Sequence, residues 1–229
     1  MLEEKMKVSN RAAGNWLIIS GAAYLIILIG MIVLIIATQS EEPIKSQIET
    51  LHARPWWMAP YVPASLLSLP LSAMMLVLAF FTRTERGSSI ADIFGALLLP
   101  AYIVCVSVAY ISQYAFMPYM LNYANSENFF PFLRLMYFSE GSLIMYLDFI
   151  GYAIWGVSAI FIGYKFFFER GLMRVIFWIL YTAGITAIIG LIGVPIKDSG
   201  LQFFNTISGF ITIPLGIFCI IIGKNLKLQ

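Results

Sequence analysis

The chain predicts an all-α, polytopic membrane protein: a six-transmembrane-helix bundle with both termini in the cytoplasm. Three observations carry this. Of its 229 residues, 60% are hydrophobic and only 11% are charged, against about 25% charged in a soluble domain. So few charges do not cover a water-facing surface of this size. Six apolar runs reach the roughly 20 residues that cross about 30 Å of hydrocarbon at 1.5 Å per residue. The basic residues are split unevenly between the segments that join those runs, which is the signature of a fixed orientation.

The runs fall at about 16–37, 59–81, 90–112, 143–164, 175–196 and 203–223, and together they make a single transmembrane domain over 1–229. The first, Trp16 to Ala37, holds no charge. It is too long for the core of a signal peptide, and Ala37-Thr38-Gln39-Ser40 is a poor cleavage site, so it is expected to stay attached. Asp92 sits at the entry of the third run, and Asp148 lies inside the fourth. Lipid offers the backbone no hydrogen-bond partners, so each run has to be a helix.

Ten of the fourteen basic residues share one side: Lys5, Lys7, Arg11, Arg83, Arg86, Lys165, Arg170, Arg174, Lys224 and Lys227. Lys45, Arg54, Arg134 and Lys197 are on the other. Basic segments face the cytoplasm, so the tails and even loops lie inside. The longer odd loops lie outside. Trp56 and Trp57 suit an interfacial belt. The apolar stretch Phe129 to Phe138 either lies flat on the outer membrane surface or packs over the bundle.

Charge and composition exclude several functions. A net charge of +2, with basic residues scattered among loops, gives no nucleic-acid footprint. Cys105 and Cys219 stand alone in apolar runs, with no CxxC spacing. His52 is the one histidine and falls in a loop, which removes a Ser–His hydrolase, a multi-histidine metal site and haem attachment. Glu41-Glu42 lacks the histidines that a glutamate-based metalloprotease needs. An acid-only mechanism using Asp148 and Glu140 has no supporting feature. No enzyme activity, cofactor or metal is expected.

Asp148 is the residue most at odds with its surroundings. A carboxylate at the middle of a spanning helix costs about 2.5–3.5 kcal/mol on insertion scales, less near the ends, and such groups face the bundle interior. Two readings follow: an acid that binds substrate or proton, or a structural carboxylate bonded to Tyr152 or to a neighbouring helix. Gln113 closes the third run at a similar level, Gln202 and Asn205 open the sixth, and Ser65 and Ser68 lie early in the second. Converged, they would line an outward-open pocket with Asp148 as its charge. Separately, each serves as interhelical glue.

Pro100 and Pro214 fall inside the third and sixth runs and permit kinks. Their surroundings match as Gly95-x4-Pro100-x4-Cys105 and Gly209-x4-Pro214-x4-Cys219, a pattern that an inverted three-plus-three repeat would give. Gly14 and Gly21, Gly156 and Gly163, and Gly184, Gly190 and Gly193 mark close helix approaches or a partner's docking face.

Trp155-Gly156 through Gly163-Tyr164, then Phe168-Glu169-Arg170-Gly171-Leu172-Met173-Arg174 and Ala183-Gly184, resembles the fourth-to-fifth helix region of an uncharacterised bacterial six-helix membrane protein family. Asn10-Arg11-Ala12-Ala13 and Ser20 to Leu25 are similar to that family's first helix. About a third of the chain is covered. Leu172-Met173 replaces the proline usual in that turn. The resemblance implies a prokaryotic cytoplasmic-membrane protein and supplies no catalytic residues.

The expected function is a membrane module that holds a small-molecule or lipid ligand between its helices, as a transporter or its substrate-capturing subunit. Asp148, Gln113 and Asn205 would be its polar contacts. Its size resembles the capture components of vitamin uptake systems. The alternative is a non-catalytic accessory, immunity or regulatory subunit packed against a membrane protein partner.

Overall fold

Each apolar run satisfies its backbone internally, as hydrocarbon demands. In the computed structural model the spans are α1 (Leu2–Thr38), α2 (Tyr61–Phe80), α3 (Ile90–Ile111), α4 (Leu143–Tyr164), α5 (Leu172–Gly193) and α6 (Ser199–Leu228). All six are long and apolar enough to cross a membrane. The structure describes residues 2–38, 55–82, 89–121, 123, 134–137 and 141–228, with 2–9, 55, 56 and 121 described by their backbone alone. The readings placed on Glu41, Glu42, Lys45, His52, Arg54, Arg83, Arg86 and Glu140, and on most of Phe129 to Phe138, fall outside these residues.

Helix ends differ from the apolar runs where local chemistry overrides hydropathy. α1 extends back to Leu2 through residues that favour helices, because a helix does not have to stop at the hydrocarbon boundary. α5 is shifted to Leu172–Gly193, not 175–196. It starts after Gly171, whose φ of 59° suits glycine, and ends before Pro195, which has no N–H to continue the ladder. α6 starts at Ser199, earlier than 203, where Asp198 Oδ1 accepts from Leu201 N at 3.0 Å and satisfies one open N-terminal donor. It runs on to Leu228 through Lys224 and Lys227, whose charges suit a helix C-terminus.

α3 does not close at residue 112. It continues through a π-helical turn, Ser112–Phe116, into a short α-helical segment, Met117–Leu121. Pro118 explains the widening. It offers Tyr114 no N–H, and its ring crowds that carbonyl. The Met117 amide accordingly bonds Ser112 O, five residues back.

Consecutive helices pack side by side, and α6 returns to α1, closing a ring in which α2 also touches α4 and α6. Neighbours run antiparallel, so both termini lie at one end. We call this the terminal end, and its opposite the far end. α2 is the most buried span, while Ile26, Ile29, Val33 and Ile36 of α1 face outward, where lipid rather than water covers them.

Small residues draw the helices together inside the ring. A Cβ at Gly14 would lie 2.5 Å from Gly223 O, and one at Gly21 would lie 2.7 Å from Gly216 O, so the α1–α6 seam is built at backbone contact. Gly156 meets Gly184 across α4 and α5, and Gly190 meets Asn205 across α5 and α6. The glycine faces are therefore used between helices of this chain. The two proline-centred motifs differ in surroundings: Gly95 packs against Ser158 and Ile162 of α4, whereas nothing lies within 4 Å of a Cβ at Gly209.

Candidate functional site: a buried carboxylate among tyrosines

The site forms at the far end, where α2, α3 and α4 meet the connection between α3 and α4. Asp148 lies in the second turn of α4 and is fully buried. Its Oδ2 accepts from the Tyr137 hydroxyl at 2.6 Å. Its Oδ1 has no hydrogen-bond partner. A buried carboxylate oxygen without a donor is costly, and such an atom calls for an explanation.

Tyr137 belongs to the α3–α4 connection. Burial, then the neighbouring carboxylate, pushes its phenol well above its ordinary range, so the hydroxyl stays protonated and acts as the donor. Gln113 positions it. From the π turn, Gln113 Oε1 accepts from Tyr137 N at 2.9 Å, and Nε2 donates to Leu135 O at 3.0 Å and Ser112 Oγ at 3.0 Å. Met136, between the two clamped residues, is buried. This part of the connection therefore packs over the bundle. Sequence reading missed Tyr137; it offered Tyr152 or a neighbouring helix as the carboxylate's structural partner.

Aromatic rings surround the pair. Tyr61 of α2, Tyr110 of α3 and Tyr137 form a triangle with centroid separations of 6.1, 5.6 and 5.5 Å. Tyr152 of α4 interacts electrostatically with Asp148 and lies 5.8 Å from the Tyr102 ring, which lies 6.4 Å from Trp155. Tyr24 of α1 bonds Thr212 of α6 through its hydroxyl.

Further buried polar atoms without partners lie on the same three helices: Ser68 and Ser72 Oγ on α2, Tyr102 Oη on α3 and Trp155 Nε1 on α4. Ser65 contacts Tyr114 at 3.3 Å. From there the antiparallel pair sets Ser68 at the level of Ile111 and Ser72 at the level of Ser107. Gly151 packs against Cys105 and Val106, which sets Asp148 about one turn from the same level. Buried polar atoms of this kind are normally met by ordered water or a ligand.

Of the three residues expected to converge, Asp148 and Gln113 are joined through Tyr137. Asn205 is not part of this group. It packs against Gly190 of α5, and its Oδ1 is buried without a partner. Gln202 donates to Gly193 O at 3.2 Å. α6 neighbours α5 and α1 in the ring, which is why its polar residues point into a different seam. Pro100 and Pro214 both face outward, and α3 and α6 run unbroken through them. Pro70 lies inside α2, beside Ser68 and Ser72, and was not singled out in the sequence.

A second buried charge sits near the terminal end. Lys165 follows α4 and donates to Leu78 O at 3.0 Å and Ala79 O at 2.7 Å, capping α2. Burial lowers its pKa, with Asp92 and Glu169 opposing. Asp92 forms a capping box with Ser89 at the start of α3. Among the described residues, no three His, Cys, Asp or Glu side chains come together as a metal site.

Compared with protein-family models, with curated proteins and with solved structures, the chain finds no match.

Proposed function

We propose that this integral membrane protein is a ligand-binding module of a prokaryotic cytoplasmic membrane, acting as a transporter or its substrate-capturing subunit. It takes its ligand at Asp148 from the far end, the side that the charge pattern assigns to the outside. One observation carries the reading: Asp148 is fully buried with one oxygen held by Tyr137 and the other unpartnered. Ionisable groups inside a membrane are expensive and mark substrate or proton pathways. The unpartnered hydroxyls of Ser68, Ser72 and Tyr102 extend the same polar lining. No chemistry on a substrate is assigned.

The test is what the protein retains on purification. Wild type and Asp148→Asn, each in lipid nanodiscs, are compared by native mass spectrometry. A bound species present in wild type and absent from the variant supports the reading. Identical spectra overturn it.

A second reading, an accessory subunit, draws on a shallow apolar groove along the outward face of α3, lined by Ile103, Val104, Ser107, Val108, Ile111 and Ser112. A partner helix seated there would be lost on Ser107→Trp, with no change at Asp148.

A further inference from the structure

Resting on the reading of Asp148 as the ligand's contact, we propose that the ligand is a small organic cation, an ammonium with an apolar body, which exchanges with a proton on the Asp148 carboxylate.

The charge balance comes first. Asp148 meets only uncharged donors: the Tyr137 hydroxyl bonds its Oδ2, and the Tyr110 hydroxyl also acts on it. Lys165 is the buried cation among the described residues, and its ammonium is committed to the Leu78 and Ala79 carbonyls where α2 ends. A buried carboxylate without a protein counter-charge is neutralised by a proton or by a bound cation. An anion would meet repulsion here and no positive group. A neutral ligand would leave the proton on the carboxyl and would not compete with it.

Donor chemistry points the same way. Asp148 Oδ1 needs a donor, and an ammonium N–H supplies one together with the missing charge. The rings of Tyr61, Tyr110 and Tyr137 cluster beside the carboxylate, and aromatic rings attract cations over their faces, more strongly in a dry site. Their separations describe a closed triangle. Two of its rings come from α2 and α3, and the third, Tyr137, comes from the described part of the connection.

Proton and ammonium compete for one group. The titratable groups facing Asp148 are Tyr61 from α2, Tyr102 and Tyr110 from α3, Tyr137 from the connection and Tyr152 from α4. Tyr24 of α1 reaches it only through Tyr102 and Tyr152. All are phenols, which ordinarily titrate near pH 10. No group of α5 or α6 acts on the carboxylate among the described residues. Between pH 5 and 8 the charge of the site is therefore set at Asp148.

The experiment uses three probes that share a ring and differ in charge: benzylammonium, benzyl alcohol and benzoate. Binding to the full chain in lipid nanodiscs is followed by calorimetry and by tryptophan fluorescence, since Trp155 adjoins Tyr102. Benzylammonium is expected to bind in preference to the other two, and Asp148→Asn to weaken it by about 30-fold or more. Wild type supplies a check that needs no variant: its affinity for benzylammonium falls as pH is lowered, approaching about tenfold per unit as one proton has to be displaced. Asp148-dependent binding of benzoate or benzyl alcohol in place of benzylammonium overturns the cation while leaving the site. Undiminished binding to Asp148→Asn, pH-independent binding, or binding of none of the three overturns the proposal. In the last case, identical spectra of purified wild type and variant would remove the site as well.

Discussion

The Tyr137 hydroxyl stands 2.6 Å from Asp148 Oδ2 and ties the α3–α4 connection to the interior of α4. The two residues are close in sequence, yet one lies outside the spans and the other inside. A hydrogen bond contributes about 0.5–1.5 kcal/mol between neutral groups and about 1.5–3 kcal/mol where one is charged. Tyr137→Phe keeps the ring in its triangle and removes that bond, so it should lower thermal stability by an amount within these ranges. Asp148→Asn in the Tyr137→Phe background should then add much less than it does alone, because the pair acts as a unit. Additivity within about 0.5 kcal/mol would show that the two side chains are not coupled.

Gln113 makes a prediction about access. Its amide holds Leu135 O and Tyr137 N, and the Leu143 amide holds Arg134 O at 2.8 Å. Arg134 itself is exposed. Gln113→Leu removes the clamp and leaves those backbone groups without it, at about 1–3 kcal/mol. Local opening should rise by about 5- to 150-fold, and trypsin cleavage after Arg134 should rise with it, since cleavage tracks the open population when reclosing is fast. An unchanged rate would mean that other contacts hold the connection.

The two halves of this site were unequally legible in the sequence. Asp148 stood out because hydropathy makes any charge in a span conspicuous, and Gln113 because it interrupts an apolar run. Their bridge did not stand out. Tyr137 lies in an aromatic stretch that reads equally as an interfacial belt or as packing. The π turn that aims Gln113 had one signal, Pro118, four residues beyond Tyr114. Lys165 was counted for orientation as one more basic residue, and its burial depends on where α2 ends. Asn205 shares a depth with Asp148 but not a seam, and depth alone does not say which neighbours a helix has. The spans themselves were legible because length and apolarity decide them. α5 was misplaced by three residues because Pro195 and Ile196 are apolar yet belong to a turn.

Lys165 offers a pH test with a defined sign. Burial holds its pKa below the usual 10.5, so between the folded and unfolded values the unfolded chain binds more protons. Stability from this group therefore rises with pH across that window, is complete above about 10.5, and is lost as pH falls through the folded value. The neutral amine still donates to the Leu78 and Ala79 carbonyls without the cost of burying a charge. Lys165→Met abolishes both bonds and should cost about 1–3 kcal/mol. The difference in melting temperature between wild type and Lys165→Met should widen as pH rises from 8 towards 10.5. A gap that narrows over this range would show that the ammonium is stabilised in place and that burial does not dominate.

The α1–α6 seam can be tested with one substitution at two places on one helix. Gly21 faces Gly216, and a Cβ there would stand 2.7 Å from its carbonyl oxygen and 3.0 Å from Ile220 Cγ1. The first is backbone and does not yield, so the helices have to part along a packed seam, and overpacking of this kind costs about 1–3 kcal/mol. Gly30 has nothing within 4 Å, so a methyl group there meets no protein atom. Alanine also restricts the backbone more than glycine does, which favours a helix by about 0.5–1 kcal/mol. Gly21→Ala should therefore destabilise and Gly30→Ala should be neutral or stabilising, although both replace glycine by alanine within α1. Equilibrium unfolding in mixed micelles measures both. Equal effects of the same sign would mean that α1 responds to glycine content alone and that contact with α6 does not set its place in the ring.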